Sequence, residues 1–208
     1  MASIKKKSLR KIKQLYYQKQ LSMKEIGDKI GVSWNAVYYF MRHYNLKRRT
    51  FSEDNQIRFL KKIPSFQVKQ NFSKFDHRLK IIGTMLYWAE GAKASSGKKS
   101  IDFVNSDFQM INLFMIFLRK ICGIDESKLR VLLYCYSNQN VNNLINFWSN
   151  LTKIPKSQFT KPYVRDDFKK DKENKMPYGL VHIRYGDKKL FLLINKWKDD
   201  FIREFNRF

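Results

Sequence analysis

Glu90 is the carboxylate best set for chemistry in this sequence. It closes an apolar run, Leu79-Lys80-Ile81-Ile82-Gly83-Thr84-Met85-Leu86-Tyr87-Trp88-Ala89, and Gly91 follows it. Its carboxylate would emerge from a core onto a surface crowded with Lys and Arg. Facing a polyanion, that position is repulsive unless a cation sits on it, and hard divalent cations take oxygen ligands. Thiol and zinc chemistry have less support. Cys122 and Cys135 lie in apolar stretches, where buried free thiols are expected. His43, His77 and His182 are scattered at spacings that build no zinc site.

Charge sets the class of partner. Among 208 residues, 42 are Lys or Arg and 18 are Asp or Glu, a formal net charge of +24. Surfaces normally mix both signs, so the excess calls for a polyanion. Nucleic acid gains affinity by releasing counterions as its phosphates are neutralised. The excess is densest early, with 18 Lys or Arg against 4 acids over residues 1–75. No run of about 18 apolar residues is present to span a bilayer. Met1-Ala2-Ser3-Ile4-Lys5-Lys6-Lys7 lacks the apolar centre of a signal peptide. The expectation is a cytoplasmic, DNA-associated protein without membrane contact.

Three short helices are predicted in the first fifty residues. Ser8 is placed to cap a segment through about Gln18, with Leu9, Ile12, Leu15 and Tyr16 on one face. Ser22-Met23-Lys24-Glu25 is a capping box opening a helix with Met23, Ile26 and Ile30 inward. Gly31 stops it, since glycine accepts the left-handed turn. Ser33 caps a third helix from Trp34 to about His43, with Val37, Phe40 and Met41 inward. The string Leu21–Leu46 resembles helix-turn-helix domains of the recombinase and regulator type. That resemblance implies that the second helix of the motif enters the major groove. Ser33, Trp34, Asn35, Tyr38 and Tyr39, with Arg42 behind them, would then meet the bases. Asn35 suits adenine, and Trp34 and Tyr38 suit a thymine methyl or sugars. Lys47, Arg48 and Arg49 would hold phosphates and fix register. The competing readings are a helical hairpin packed on the rest of the protein and, for Trp34 and Tyr38, packing against the first helix.

Residues 51–76 read as a basic linker with an intermittent helix, interrupted by Pro64. Helices and strands then alternate. Helices are predicted over 77–89, 108–122, 140–152 and 187–205, and strands over 100–104, 129–136, 159–164 and 179–185. The charged stretch 165–175 is expected to be a hairpin loop between the last two strands, either solvated or phosphate-contacting.

The run ending Ala89-Glu90-Gly91 resembles the signature helix of LAGLIDADG DNA nucleases, and Asn105-Ser106-Asp107 before a long helix with Gly123-Ile124 after it extends the likeness. The whole is expected to be α+β: an all-helical helix-turn-helix domain (1–50), the linker (51–76) and a mixed α/β LAGLIDADG-like domain (77–208). The resemblance implies two jobs for the helix. It pairs with a second copy, Ala89 packing at the contact, and it presents Glu90 to a divalent metal, normally Mg²⁺. Asp102 is the best second acid and second metal ligand, Asp107 being better suited to cap the next helix. Lys93, Lys98 and Lys99 could stabilise phosphate charge, Lys93 close to the reaction, although a solvated loop explains them equally. Met85 stands where the family has a glycine, Gly83 comes two residues early, and the helix at 140–152 is additional. One motif copy implies a homodimer. The function expected is a Mg²⁺-dependent endonuclease acting on a specific duplex or a branched junction. The alternative is a regulator that keeps the fold for binding DNA without cutting it.

Overall fold

Capping chemistry sets most of the element boundaries. This computed structural model describes residues 4–92, 99–166 and 176–206, and the chain divides into two units, Met1–Ile63 and Pro64–Phe208.

In the first unit a 3-10 turn at Lys6–Ser8 leads into α1 (Leu9–Lys13), which continues as a π-helical turn, Gln14–Gln18. Ser8 gives no side-chain cap, because the preceding turn already occupies that end. α2 (Met23–Ile30) starts as the sequence requires: Ser22 Oγ accepts the Glu25 N–H, and the Glu25 carboxylate accepts the Ser22 N–H at 2.7 Å. Those bonds hold the Glu25 carboxyl below its ordinary range. Gly31 takes the turn at φ 76°, a conformation that a Cβ would strain. α3 (Trp34–His43) follows, with Ser33 Oγ accepting the Ala36 N–H. Ile12, Leu15, Tyr16, Ile26, Val37, Phe40 and Met41 form the core these helices share.

The linker expected over 51–76 is not continuous. A full helix, α4 (Phe51–Lys61), begins at a second capping box built by Thr50 and Glu53. It belongs to the first unit, held by an ion pair between Arg49 Nε and Asp54 at 2.7 Å and by Lys61 Nζ donating to Gln20 O at 2.8 Å. Its apolar residues are too sparse to bury, and none is buried. These polar anchors are what its hydrophobic pattern cannot reveal.

Residues from Pro64 onward join the second unit. The Gln67 and Lys69 N–H groups donate to Gly123 O and Ile121 O, and Phe66 bridges to Ile124. α5 (Lys74–Glu90) then starts three residues earlier than its apolar pattern suggests, because Ser73 and Asp76 make a third capping box. After it come β1 (Ile101–Asn105), α6 (Phe108–Phe117) with a π-helical continuation at Leu118–Cys122, β2 (Leu129–Tyr136), α7 (Val141–Thr152), β3 (Tyr163–Arg165), β4 (Leu180–Tyr185) and α8 (Lys188–Phe205). Asp107 caps α6 through the Gln109 and Met110 N–H groups, as expected.

The strands form one mixed sheet in the order β1-β4-β2-β3. β4 is antiparallel to both β1 and β2, and β3 lies parallel to β2 at the edge. The hairpin expected between the last two strands is therefore absent. Burial explains the order: β4 buries Val181, Ile183 and Tyr185 completely and needs neighbours on both sides, whereas all three β3 residues are exposed. The sequence assigned 159–164 to strand, but only Tyr163–Arg165 is regular. The segment 167–175 lies outside the described residues.

One sheet face carries Ile101, Phe103, Leu129, Val131, Leu133, Val181 and Ile183 into a core with Phe114, Phe117, Trp148 and Leu190. α5 approaches this core at Gly83, where an added Cβ would stand 2.1 Å from the Phe117 ring. Gly83 thus serves close packing inside the unit. Among the described residues no helix is long and apolar enough to cross a membrane.

Candidate nucleic-acid interface

Two surfaces, one in each unit, gather the groups that suit a polyanion. The first is the start of α3. Ser33, Asn35, Arg42 and Lys47 are exposed there. Trp34 is 53% and Tyr39 63% exposed. Trp34 meets Tyr38 edge-on, with ring centroids 6.4 Å apart, and Arg48 lays its guanidinium 4.5 Å above the half-buried Tyr38 ring. Tyr38 also meets Tyr39 at 5.4 Å. The result is a cationic and aromatic patch on a capped helix start, able to stack on or hydrogen-bond to bases and to pair with phosphates.

Arg49 does not belong to that patch. Its Nε pairs with Asp54, its two terminal nitrogens donate to Tyr16 O at 3.0 Å and Leu21 O at 2.6 Å, and its guanidinium lies 4.0 Å over the Tyr16 ring. With the side chain only 13% exposed, these contacts make it a latch inside the unit. A run of three basic residues cannot show which one faces inward.

The second surface starts at Glu90. It is the last residue of α5 and is exposed, and no hydrogen bond or ion pair joins its side chain to another described residue. Directly below, Gly91 bridges to Phe103 and the Ala92 N–H donates to Asp102 O at 2.8 Å, so the chain after Glu90 folds back along β1. Lys99 is exposed nearby in sequence, whereas Lys93 and Lys98 lie outside the described residues. Tyr87, one turn before the acid, is buried and its hydroxyl is pushed up to about 12, mainly by burial, so it keeps its proton near neutrality and is no base there.

Asp102 is held by two neighbours from the adjacent strand. Both of its oxygens are engaged: Oδ1 lies 2.9 Å from His182 Nδ1, and Oδ2 accepts from Arg184 Nε at 3.1 Å. Those partners stand on β4, register-paired with Val104 and Asp102 of β1. Arg184 is in turn paired with Arg130 of β2. The His182 ring lies 4.9 Å from that of Tyr134, which lies 4.9 Å from Tyr163. The sheet face opposite the core therefore carries Asp102, Arg130, Tyr134, Tyr163, His182 and Arg184. Sequence reading missed the last five. Their signal was the alternation of Leu180, His182 and Arg184 with buried Val181, Ile183 and Tyr185, which marks a strand with a polar outward side.

A cation would find only part of a site in one chain. Glu90 is exposed and anionic, and Asp102 already shares one oxygen with His182 and the other with Arg184, each oxygen keeping a further lone pair. Among the described residues no three His, Cys, Asp or Glu side chains come together as a metal-holding group. Both thiols are free and buried, and burial pushes both up, away from thiolate reactivity. In comparisons with known proteins, no family model, curated protein or solved structure matches this chain.

Proposed function

We propose that this protein binds duplex DNA through α3, pairs with a second copy of itself along α5, and hydrolyses a phosphodiester at Glu90 with Mg²⁺. The observation that carries the reading is α5 itself. It ends in an exposed acid, and it leaves Phe75, Ile81, Ile82 and Trp88 each more than 40% exposed, among the exposed polar residues Lys74, His77 and Arg78. Large apolar side chains left exposed along one helix suit a protein partner. A two-fold pairing there would bring together the two α5 helices and their terminal acids. Each chain supplies one carboxylate, which accounts for an incomplete ligand set in a single chain. The chain order also supports a LAGLIDADG-like reading: α5, a turn back along β1, α6, then the antiparallel β2 and β4, with α7 and β3 inserted between them.

In this reading the basic groups of both units attract and orient the phosphate backbone, and Glu90 holds the cation. The bound cation would activate water and stabilise the leaving oxygen. Glu90→Gln keeps the shape and removes the charge. We expect it to abolish Mg²⁺-dependent cutting of supercoiled, linear or four-way-junction DNA while DNA binding holds or tightens. A parent protein that cuts none of these with Mg²⁺ or Mn²⁺ overturns the nuclease reading, as does a variant that cuts at the parental rate. The engagement of Asp102 favours a second reading, a regulator that binds DNA without cutting it. There, cleavage is absent from both proteins and binding still responds to Asn35→Ala.

A further inference from the structure

Helices α5 and α8 face each other along two stripes, Thr84, Tyr87, Trp88 and Gly91 on the first side and Ile194, Asn195 and Lys198 on the second. The stripes do not close on each other. Positions 84, 91 and 92 carry small residues, and a cavity of about 240 Å³ remains between the helices. We infer that this cavity is a binding pocket for an adenine nucleotide, free or carried on a nucleic acid. It lies wholly in the second unit and uses neither the α3 surface nor a cation at Glu90.

The pocket grades from enclosed to open. Thr84 is fully enclosed, and its Oγ1 is the one buried side-chain nitrogen or oxygen without a hydrogen-bond partner among the described residues. A helical threonine can return its hydroxyl to the carbonyl four residues back, and this one does not. A buried hydroxyl left unpaired is costly, so a ligand atom that pairs with it recovers that cost on binding. Tyr87, Gly91 and Ile194 are buried around it. Asn195 is partly exposed; its Nδ2 donates to Phe191 O at 2.8 Å, and its Oδ1 bonds to no described residue. At the open side stand Trp88, 48% exposed, and Lys198, whose Nζ lies 3.1 Å from the exposed Asp199.

Size and edge chemistry select the ligand. An apolar cavity of about 150 Å³ takes benzene, so the larger volume here suits two fused rings. A ring edge that meets both Asn195 Oδ1 and the Thr84 hydroxyl needs a donor beside an acceptor. Adenine offers that pair as its N6 amine and N7, whereas guanine presents two acceptors on the same edge. The indole of Trp88 gives such a base an aromatic neighbour. Lys198 supplies the cation for the phosphate that the same nucleotide carries.

The test follows the Ile194 Cδ1 methyl signal of the full-length protein by NMR, a readout at the cavity that phosphate bound to the basic surface does not move. Two probes supply the two sources: adenosine 5′-monophosphate, and a duplex with a single unpaired adenine. A saturable shift with either supports the pocket, and the probe that gives it names the source. Inorganic phosphate and the fully paired duplex should leave the signal in place, and guanosine 5′-monophosphate should bind about tenfold more weakly than the adenosine form. Thr84→Val keeps the shape and removes the unpaired hydroxyl, so the chain should fold at least as stably while adenine affinity falls about tenfold. Lys198→Gln should erase the advantage of adenosine 5′-monophosphate over adenosine. An Ile194 signal that neither adenine probe moves overturns the pocket. A folded Thr84→Val protein that binds as tightly as the parent, or equal binding of the guanosine form, overturns the assignment to adenine.

Discussion

At the scale of single residues, Arg48 and Arg49 are neighbours with opposite duties. Arg48 stacks on Tyr38 at the surface, and Arg49 is tied to Asp54 and two main-chain carbonyls. Arg48→Ala should weaken binding to all duplex sequences alike and lower the salt slope by about one. Its effect on stability should be small, since one cation–π contact is worth about 0.5–1 kcal/mol at an exposed site. Arg49→Ala should cost about 2–3 kcal/mol of stability, because hydrogen bonds to charged groups are worth about 1.5–3 kcal/mol and Asp54 loses its partner. Urea denaturation of the full chain together with binding at two salt concentrations separates the two. Equal stability losses for both variants would contradict the latch. The three consecutive basic residues 47–49 look alike in sequence. Only the carbonyls of Tyr16 and Leu21, brought close by the fold, decide which one turns inward.

At the scale of elements, Asp187 ties the start of α8 to the segment before α5. Its carboxylate accepts from the Ser65 N–H and hydroxyl and from the Lys189 and Leu190 N–H groups. Burial alone would raise its proton affinity, but these bonds outweigh burial and hold the carboxyl below the ordinary range. A lowered native value means that its stabilisation is complete above the unfolded value, about 4, and is lost as pH falls through the native one. Asp187→Asn should therefore be least stable relative to the parent near pH 7, with the gap closing in acid. A gap constant down to pH 2 would show that the charge is not involved. Much at this scale was legible beforehand. Ser22, Ser33 and Asp107 announced their helices, and β2 ran from Leu129 to Tyr136 as its alternation required. The insertion of β4 between β1 and β2 was not legible, since it depends on long-range pairing that alternation cannot choose. The same pairing hid the contact between Asp102 and His182, which are eighty residues apart.

At the scale of the whole molecule, the exposed Phe75, Ile81, Ile82 and Trp88 of α5 are where the proposed pairing of two copies is tested. Ile82 is 43% exposed, so Ile82→Asp should leave the fold of each chain intact while abolishing self-association. Light scattering with and without saturating duplex should then give a monomer where the parent gives a dimer. A parent that is monomeric under both conditions would remove the basis for a shared cation site. The two cysteines have a different use. Both belong to the second unit, with Cys122 fully enclosed and Cys135 nearly so. Alkylating reagents attack the thiolate, which burial disfavours in both, so the native chain resists labelling until that unit opens. The rate at which iodoacetamide modifies the protein is consequently a clock for the opening of the sheet-containing unit alone, and it is blind to melting of the thiol-free first unit.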